Sequence, residues 1–230
     1  MRYAELQCAS HFSFLRGASS CEELFPQASV CGVEALAITD RNSLAGVVRA
    51  HEAARVTGVR LVVGCRLVLE DGAELLVYPQ DRPGYSRLCR LLTVGKRRAG
   101  KGGCRLGWDD VAAHAEGWIA VLLPAGMAEA RRHLALAVRI FGPDTHLALT
   151  LHRRPGDQVR LHGLSELAKG SGARTVVTND VLFHHPDRRI LQDVVTCIRE
   201  GCTIDDVGFR RTRTADRHLM PVEEMRRLFA

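Results

Sequence analysis

Two rhythms of apolar residues alternate along the chain. Seven short runs, Ala4–Ser10, Ala35–Asp40, Arg60–Leu69, Glu74–Tyr78, Trp118–Leu123, His146–His152 and Arg174–Asn179, are mostly rich in Val, Ile and Leu and show no strict alternation. Such runs are strands covered on both faces, as in a parallel sheet. Between them the spacing changes to three and four. Ser43–Val56 sets Leu44, Val47, Val48 and His51 on one helical face, and Met127–Ile140 sets Leu134, Ala137, Val138 and the following Phe141 on another. Asp157–Lys169 and Arg188–Arg199 repeat the pattern. Gly58, Gly142, Gly170 and Gly201 stand where helices stop, and Asp187 where the last of these starts. Strand then helix, repeated, predicts βα units around a parallel sheet, either a closed barrel or an open, doubly wound sheet. No G-x-G-x-x-G or G-x-x-x-x-G-K-[ST] follows any run, which weighs against a nucleotide-binding open sheet. In a barrel, function gathers at the C-terminal strand ends: His11, Asp40–Arg41, Cys65–Arg66, Pro79, Pro124, Arg153 and Asp180–Leu182.

Composition changes this picture little. The 230 residues are 46% hydrophobic and 25% charged, enough for one large core or two small ones. The net charge of +6 is compatible with a nucleic-acid partner without requiring one. Eight cysteines are scattered through apolar segments with no C-x-x-C pair and no secretory leader before them, which predicts a reduced, cytoplasmic setting. No stretch has the apolar length of a membrane span, and no G-x-S-x-G elbow is present.

Four stretches carry a specific resemblance. Tyr3-Ala4-Glu5-Leu6-Gln7-Cys8 leads into Phe12-Ser13-Phe14-Leu15-Arg16-Gly17-Ala18-Ser19. Ala35-Leu36-Ala37-Ile38-Thr39-Asp40 leads into Ser43-Leu44-Ala45-Gly46-Val47-Val48-Arg49-Ala50-His51. Gly84-Tyr85 and Leu91-Leu92-Thr93 precede Gly95–Gly102. Thr178-Asn179-Asp180-Val181-Leu182-Phe183-His184 precedes Leu191-Gln192-Asp193-Val194 and Cys197–Gly201. In this order they resemble the N-terminal PHP (polymerase and histidinol phosphatase) domain of bacterial C-family DNA polymerases, the error-prone branch above all. The resemblance implies a distorted seven-stranded (β/α)7 barrel over 1–205. Residues 206–230 would be a connector and the start of a helix, with Met225, Leu228 and Phe229 as its apolar stripe, running toward a polymerase body beyond Ala230.

It also implies a phosphoester-hydrolysing site in which His, Asp and Glu at strand ends hold up to three metal ions. The residues at those positions depart from the pattern. Gln7 and Ala9 stand for H-x-H. Arg16, Arg41 and Arg66 stand for ligands of the first three strands. Glu74 and Pro124 fall near the next two, and Asp180 with Leu182 replaces D-x-H. Guanidinium keeps its proton and has no lone pair for a metal. The expectation is a degenerate, metal-free cavity held by ion pairs, with Arg41 or Arg66 against Asp180 or Glu74. Glu5, on the Gln7 side of its strand, with His11 and Asp180, is the alternative of a makeshift ion site. His184 and His185 match a metal pair by residue type, but a solvated loop is the expected reading. His51 reads as a hydrogen-bonded core histidine.

Two basic runs stand out. Lys96, Arg97, Arg98, Lys101 and Arg105 lie among glycines and suit a flexible loop on a phosphate backbone. Arg210, Arg211, Arg213 and Arg217 are expected to face the polymerase body or solvent. The implied parent is a DNA-directed DNA polymerase using Mg2+ in its palm for replication and translesion repair. Its palm and thumb, DNA, a sliding clamp and accessory mutagenesis proteins would be partners. The fragment would then be an inert scaffold. The alternatives are a phosphoesterase or 3′–5′ exonuclease dependent on Zn, Mn or Fe, or a basic nucleic-acid-binding module.

Overall fold

A computed structural model describes residues 2–151, 153, 155–212 and 214–229. The expected strand end at His152, Arg213 of the second basic run, and Ala230 lie outside the described residues. Eight strands are described, β1 (Ala4–Glu5), β2 (Ala35–Ile38), β3 (Arg60–Val63), β4 (Cys65–Val68), β5 (Glu74–Pro79), β6 (Trp118–Leu123), β7 (Thr145–Leu149) and β8 (Arg174–Val177). Eight helices accompany them, α1 (Cys21–Val30), α2 (Val47–Thr57), α3 (Arg82–Arg98), α4 (Trp108–His114), α5 (Met127–Phe141), α6 (Asp157–Gly170), α7 (Arg189–Glu200) and α8 (Val222–Leu228).

The strands form two sheets rather than one ring of seven, in the orders β1-β2-β3 and β4-β5-β6-β7-β8. The run Arg60–Leu69 divides at Gly64, and its halves join different sheets. A Cβ at Gly64 would lie 2.8 Å from the Tyr78 ring and 2.9 Å from Thr39 Cγ2, so only glycine allows the chain to cross there. The pairing is mixed: β4–β5 and β5–β6 are antiparallel and the remaining pairs parallel. The β4–β5 link, Leu69–Ala73, is too short for the crossover that a parallel pair requires. Single parallel bridges, Arg41 to Arg66 and Cys8 to Val181, join the sheets at either side.

Alternate strand residues divide the core. Leu36 and Ile38 pack with Leu24, Phe25, Ala50 and Ala53, beneath α1 and α2. Leu75, Val77, Ala120, Leu122 and Leu147 pack with Leu88, Leu91, Leu134 and Ala137 beneath α3 and α5. The residues between them in sequence, Ala37, Leu76, Val121 and Ala148, meet with Tyr78 in a third cluster drawn from both sheets.

The helices carry three corrections to the expected pattern. Helix α2 buries Ala50 and Ala53, while Val48 and His51 are exposed, so His51 is not a core histidine. The small residues let α1 and α2 approach closely, and the larger apolar side chains are left outside. Asp187 does not cap α7; a 3-10 turn, Pro186–Arg188, comes first, and Gly170 is the last residue of α6 rather than its cap. Gly58 and Gly201 do end their helices, in the left-handed conformation.

The segment after 205 returns to the domain. Leu219, Met220 and Met225 are buried. His218 bridges Phe183, and Asn179 Nδ2 donates to the carbonyls of Asp216 and His218 at 2.8 and 2.7 Å. All eight cysteines are free thiols. No described helix is long and apolar enough to cross a membrane.

Candidate functional site

The strand tips meet around an ion-pair network. Arg66, near the start of β4, donates from Nε to Glu74 Oε2 at 2.6 Å and from a terminal nitrogen to Asp180 Oδ1 at 3.0 Å. Arg41 reaches the other oxygen of Glu74 at 3.4 Å. Arg217, from the returning segment, bonds both the Asp180 carboxylate and, at 2.9 Å from Nε, the Asp180 carbonyl. Burial opposes the charge on Arg66, but Asp180 and Glu74 outweigh it and raise its pKa. Asp180 holds its position with φ of +50°, a left-handed conformation that aspartate tolerates better than most residues.

Two adjoining cavities share Arg66 and Asp180. The first, about 300 Å³, is also lined by Gln7, Glu74 and Pro124. The second, about 320 Å³, is also lined by Ala9, Arg16, Arg41 and Leu182. All nine positions singled out in the sequence therefore border one of these two spaces. Gln7 Oε1 accepts from Thr178 Oγ1 at 2.7 Å. Ala9 and Leu182 pack with Ala18 and Phe183 in a small apolar cluster, so hydrocarbon stands where the resemblance implies imidazole.

The loop carrying Arg16 is fixed from below by Asp40. That buried carboxylate accepts from Ser10 N, Ser10 Oγ and Ser13 Oγ at 2.8, 2.8 and 2.7 Å. Burial raises its pKa, and the serine bonds oppose the rise. Ser13 Oγ in turn accepts from Arg41 N at 3.0 Å. A Cβ on Gly17 would fall 2.1 Å from the Ser10 carbonyl oxygen, so the turn closes only with glycine there. In the sequence Asp40 stands as a strand end, and the signal for its anchoring role is the pair of serines, Ser10 and Ser13, at and just after the end of the neighbouring strand run.

The makeshift ion site is not assembled. Glu5 is buried and committed to Tyr3 Oη at 2.8 Å, Gln7 N at 2.7 Å and Asn179 N at 3.1 Å. Burial raises its pKa to about 7 despite those three donors. His11 is exposed. His184 Nδ1 lies 2.8 Å from Ser19 Oγ, and His185 lies 3.2 Å from Asp187. Among the described residues, no three His, Cys, Asp or Glu side chains gather as a metal cluster. The donor set at the strand tips does not suit a multi-metal centre: of the nine positions only Glu74 and Asp180 are carboxylates, and both face guanidiniums.

The first basic run is not one flexible loop. Lys96, Arg97 and Arg98 form the last turn of α3, where positive charge complements the helix dipole. Arg98 is paired with Asp110 at 2.6 Å and Arg105 with Glu70 at 2.9 Å. Lys96 and Lys101 instead line a groove of about 790 Å³ with Arg16, Arg41 and Arg199. In the second run Arg210 and Arg211 are exposed, and with Arg217 they border the strand-tip cavity. Arg199, which donates to the Leu15 carbonyl at 2.9 Å, belongs with them and was not singled out from the sequence, where it reads as an ordinary last-turn helix residue.

Residues 5–160 match the family model described as the PHP domain. The chain belongs to the PHP domain family. This PHP domain is 62% identical over its full length to error-prone DNA polymerase 1 of Agrobacterium fabrum and 60% identical to error-prone DNA polymerase 2 of Rhizobium meliloti. It is 47% identical, over 99% of its length, to the error-prone DNA polymerase of Caulobacter vibrioides. It spans 21% of the length of each of these relatives. In three dimensions it is similar to an amidohydrolase from Chromobacterium violaceum, with a TM-score of 0.57 and 14% identity over 78% of this chain and 87% of that one. A lesion-specific endonuclease from Pyrococcus furiosus matches with a TM-score of 0.55 and 11% identity over 78% of this chain and 48% of that one. At these identities the structural likeness shows the fold alone.

Proposed function

We infer that the chain is the PHP domain of an error-prone DNA-directed DNA polymerase, and that within the polymerase it is a scaffold rather than a hydrolase. The full-length identity to named error-prone polymerases supports the first half. The Arg66–Glu74–Asp180–Arg217 network supports the second, because it places guanidinium charge among positions that the resemblance assigns to metal ligands. The eight described strands act as a distorted barrel of two sheets joined by the single bridges Arg41–Arg66 and Cys8–Val181, and the parent enzyme works in the cytoplasm. Nucleotide addition and its Mg2+ belong to a palm elsewhere in that polymerase, with DNA as substrate and damaged template as its occasion. The palm and thumb are the surfaces this domain supports, and a sliding clamp and accessory mutagenesis proteins are partners of the whole enzyme.

The test is elemental analysis together with hydrolysis of a chromogenic phosphodiester. Purified protein should carry no stoichiometric Zn, Mn or Fe and should show no turnover when these ions are added. Metal-dependent turnover that disappears in Asp180→Ala would replace the scaffold reading with that of a phosphoesterase or exonuclease. In the full-length polymerase, Arg66→Ala should lower both the melting temperature and primer extension. A normal melting temperature with normal extension would remove the scaffold role.

A further inference from the structure

The second strand-tip cavity is overfilled with positive charge. Among the described residues seven arginines line it, with Asp180 as the only acidic lining residue. Among the described residues the carboxylates in ion pairs with those arginines include Glu74, Asp180 and Glu200. Among the described residues Arg16 and Arg211 have no carboxylate partner, and Arg210 donates only to the carbonyls of Val207 and Asp206. Burial and the nearby charges of Arg41 and Arg199 lower the pKa of Arg16, as crowding of unneutralised cations should.

Polar side chains there are also incomplete. Gln192 is buried with 2% exposure, and its Oε1 has no hydrogen-bond partner. Thr212 Oγ1, on the same lining, is likewise buried and unpartnered. A buried amide and hydroxyl left open beside surplus guanidiniums form a donor-rich shell, since the Gln192 amide can turn its NH2 inward. Guanidinium forks match the tetrahedral oxygens of a phosphoryl group and are less strongly hydrated than lysine. Arg16, Arg41 and Arg199 also line the larger groove, where Lys96, Lys101 and the 81% exposed Phe14 continue the surface outward. An anion held in the cavity thus has a basic path leading away, flanked by a ring on which a base can stack.

We propose that the arginine-lined cavity is a metal-free phosphate-binding site, taking the phosphoryl group of a free oxyanion or of a single-stranded nucleic acid. This goes beyond the scaffold reading and stands apart from it, since it concerns binding without hydrolysis.

The test is calorimetric titration of EDTA-treated protein with inorganic pyrophosphate and, separately, with a twelve-residue oligothymidylate. Saturable binding of either probe is expected, falling steeply with added salt. The double variant Arg16→Gln/Arg211→Gln should weaken it roughly tenfold or more while its circular dichroism is unchanged. Binding of pyrophosphate alone would identify a free anion as the ligand, and binding of the oligonucleotide, displaced by pyrophosphate, would identify a strand. Binding of neither probe, binding that appears only with a divalent ion, or binding equal in the double variant would overturn the proposal. Turnover in the phosphodiester assay would sink the scaffold reading and leave this binding result to be judged separately.

Discussion

Arg66 and Asp180 show how a single side-chain type decides what a cavity can hold. Removing one partner leaves the other charge in a half-buried site, which costs more than the pair contributes. With 13% of the Asp180 side chain exposed, Asp180→Ala should destabilise the fold by about 3 kcal/mol, near the lower end for a buried pair. Urea denaturation would measure this, and a loss under 1 kcal/mol would show that solvent already screens the network. Glu5 offers a second test. Its folded pKa of about 7 lies above the ordinary carboxylate value, so the fold favours its protonated form. Stability from this group is complete below the unfolded pKa and is lost as pH rises through about 7. Wild-type protein should therefore lose stability between pH 5 and 8 relative to Glu5→Gln. Parallel curves for the two proteins would refute that sign.

Among the elements, the Arg60–Leu69 run is the most instructive. Its apolar content reads as one strand, yet Gly64 divides it between two sheets because the Tyr78 ring occupies the space beside it. Gly64→Ala should cost about 1–3 kcal/mol by overpacking. In a chain of this size that lowers the melting temperature by several degrees, about 2–4 °C for each kcal/mol. An unchanged melting temperature would mean that the strand crossing relaxes without penalty. Helix α2 teaches a related lesson. A face of Leu44, Val47, Val48 and His51 satisfies the periodicity, but the packed face is the one with Ala50 and Ala53. Close helix–helix approach favoured the small side chains, a choice set by the position of α1. Helix α3 is hidden in the sequence because Pro83 and Gly84 stand in its first turn and Gly95 beside its last, Lys96–Arg98, residues that suggest turns and loops.

At the scale of the whole molecule, the returning segment closes the site. Arg217, Arg210 and Arg211 come from 206–229, and their cavity partners come from the strand tips and α7. Truncation before residue 206 should therefore both expose the surfaces under Leu219 and Met225 and leave Asp180 short of a guanidinium. Such a protein should bind more of a hydrophobic dye and melt at lower temperature than the full chain. Equal melting of the two would show that the segment contributes nothing to the domain.

What the sequence determined alone was the set of apolar runs, most helix positions, and the arginine, alanine and leucine side chains at positions where the resemblance implies metal ligands. Those are local properties, fixed by side-chain size, period and protonation. Only the tertiary structure decided that Gly64 splits a strand, that β4–β5–β6 run antiparallel, and that Arg199 and Arg217 join Arg66 at one cavity. Residues far apart in the chain carry no mark of their neighbours. The pairing of charges depends on which strand ends meet, and that is settled by packing rather than by period.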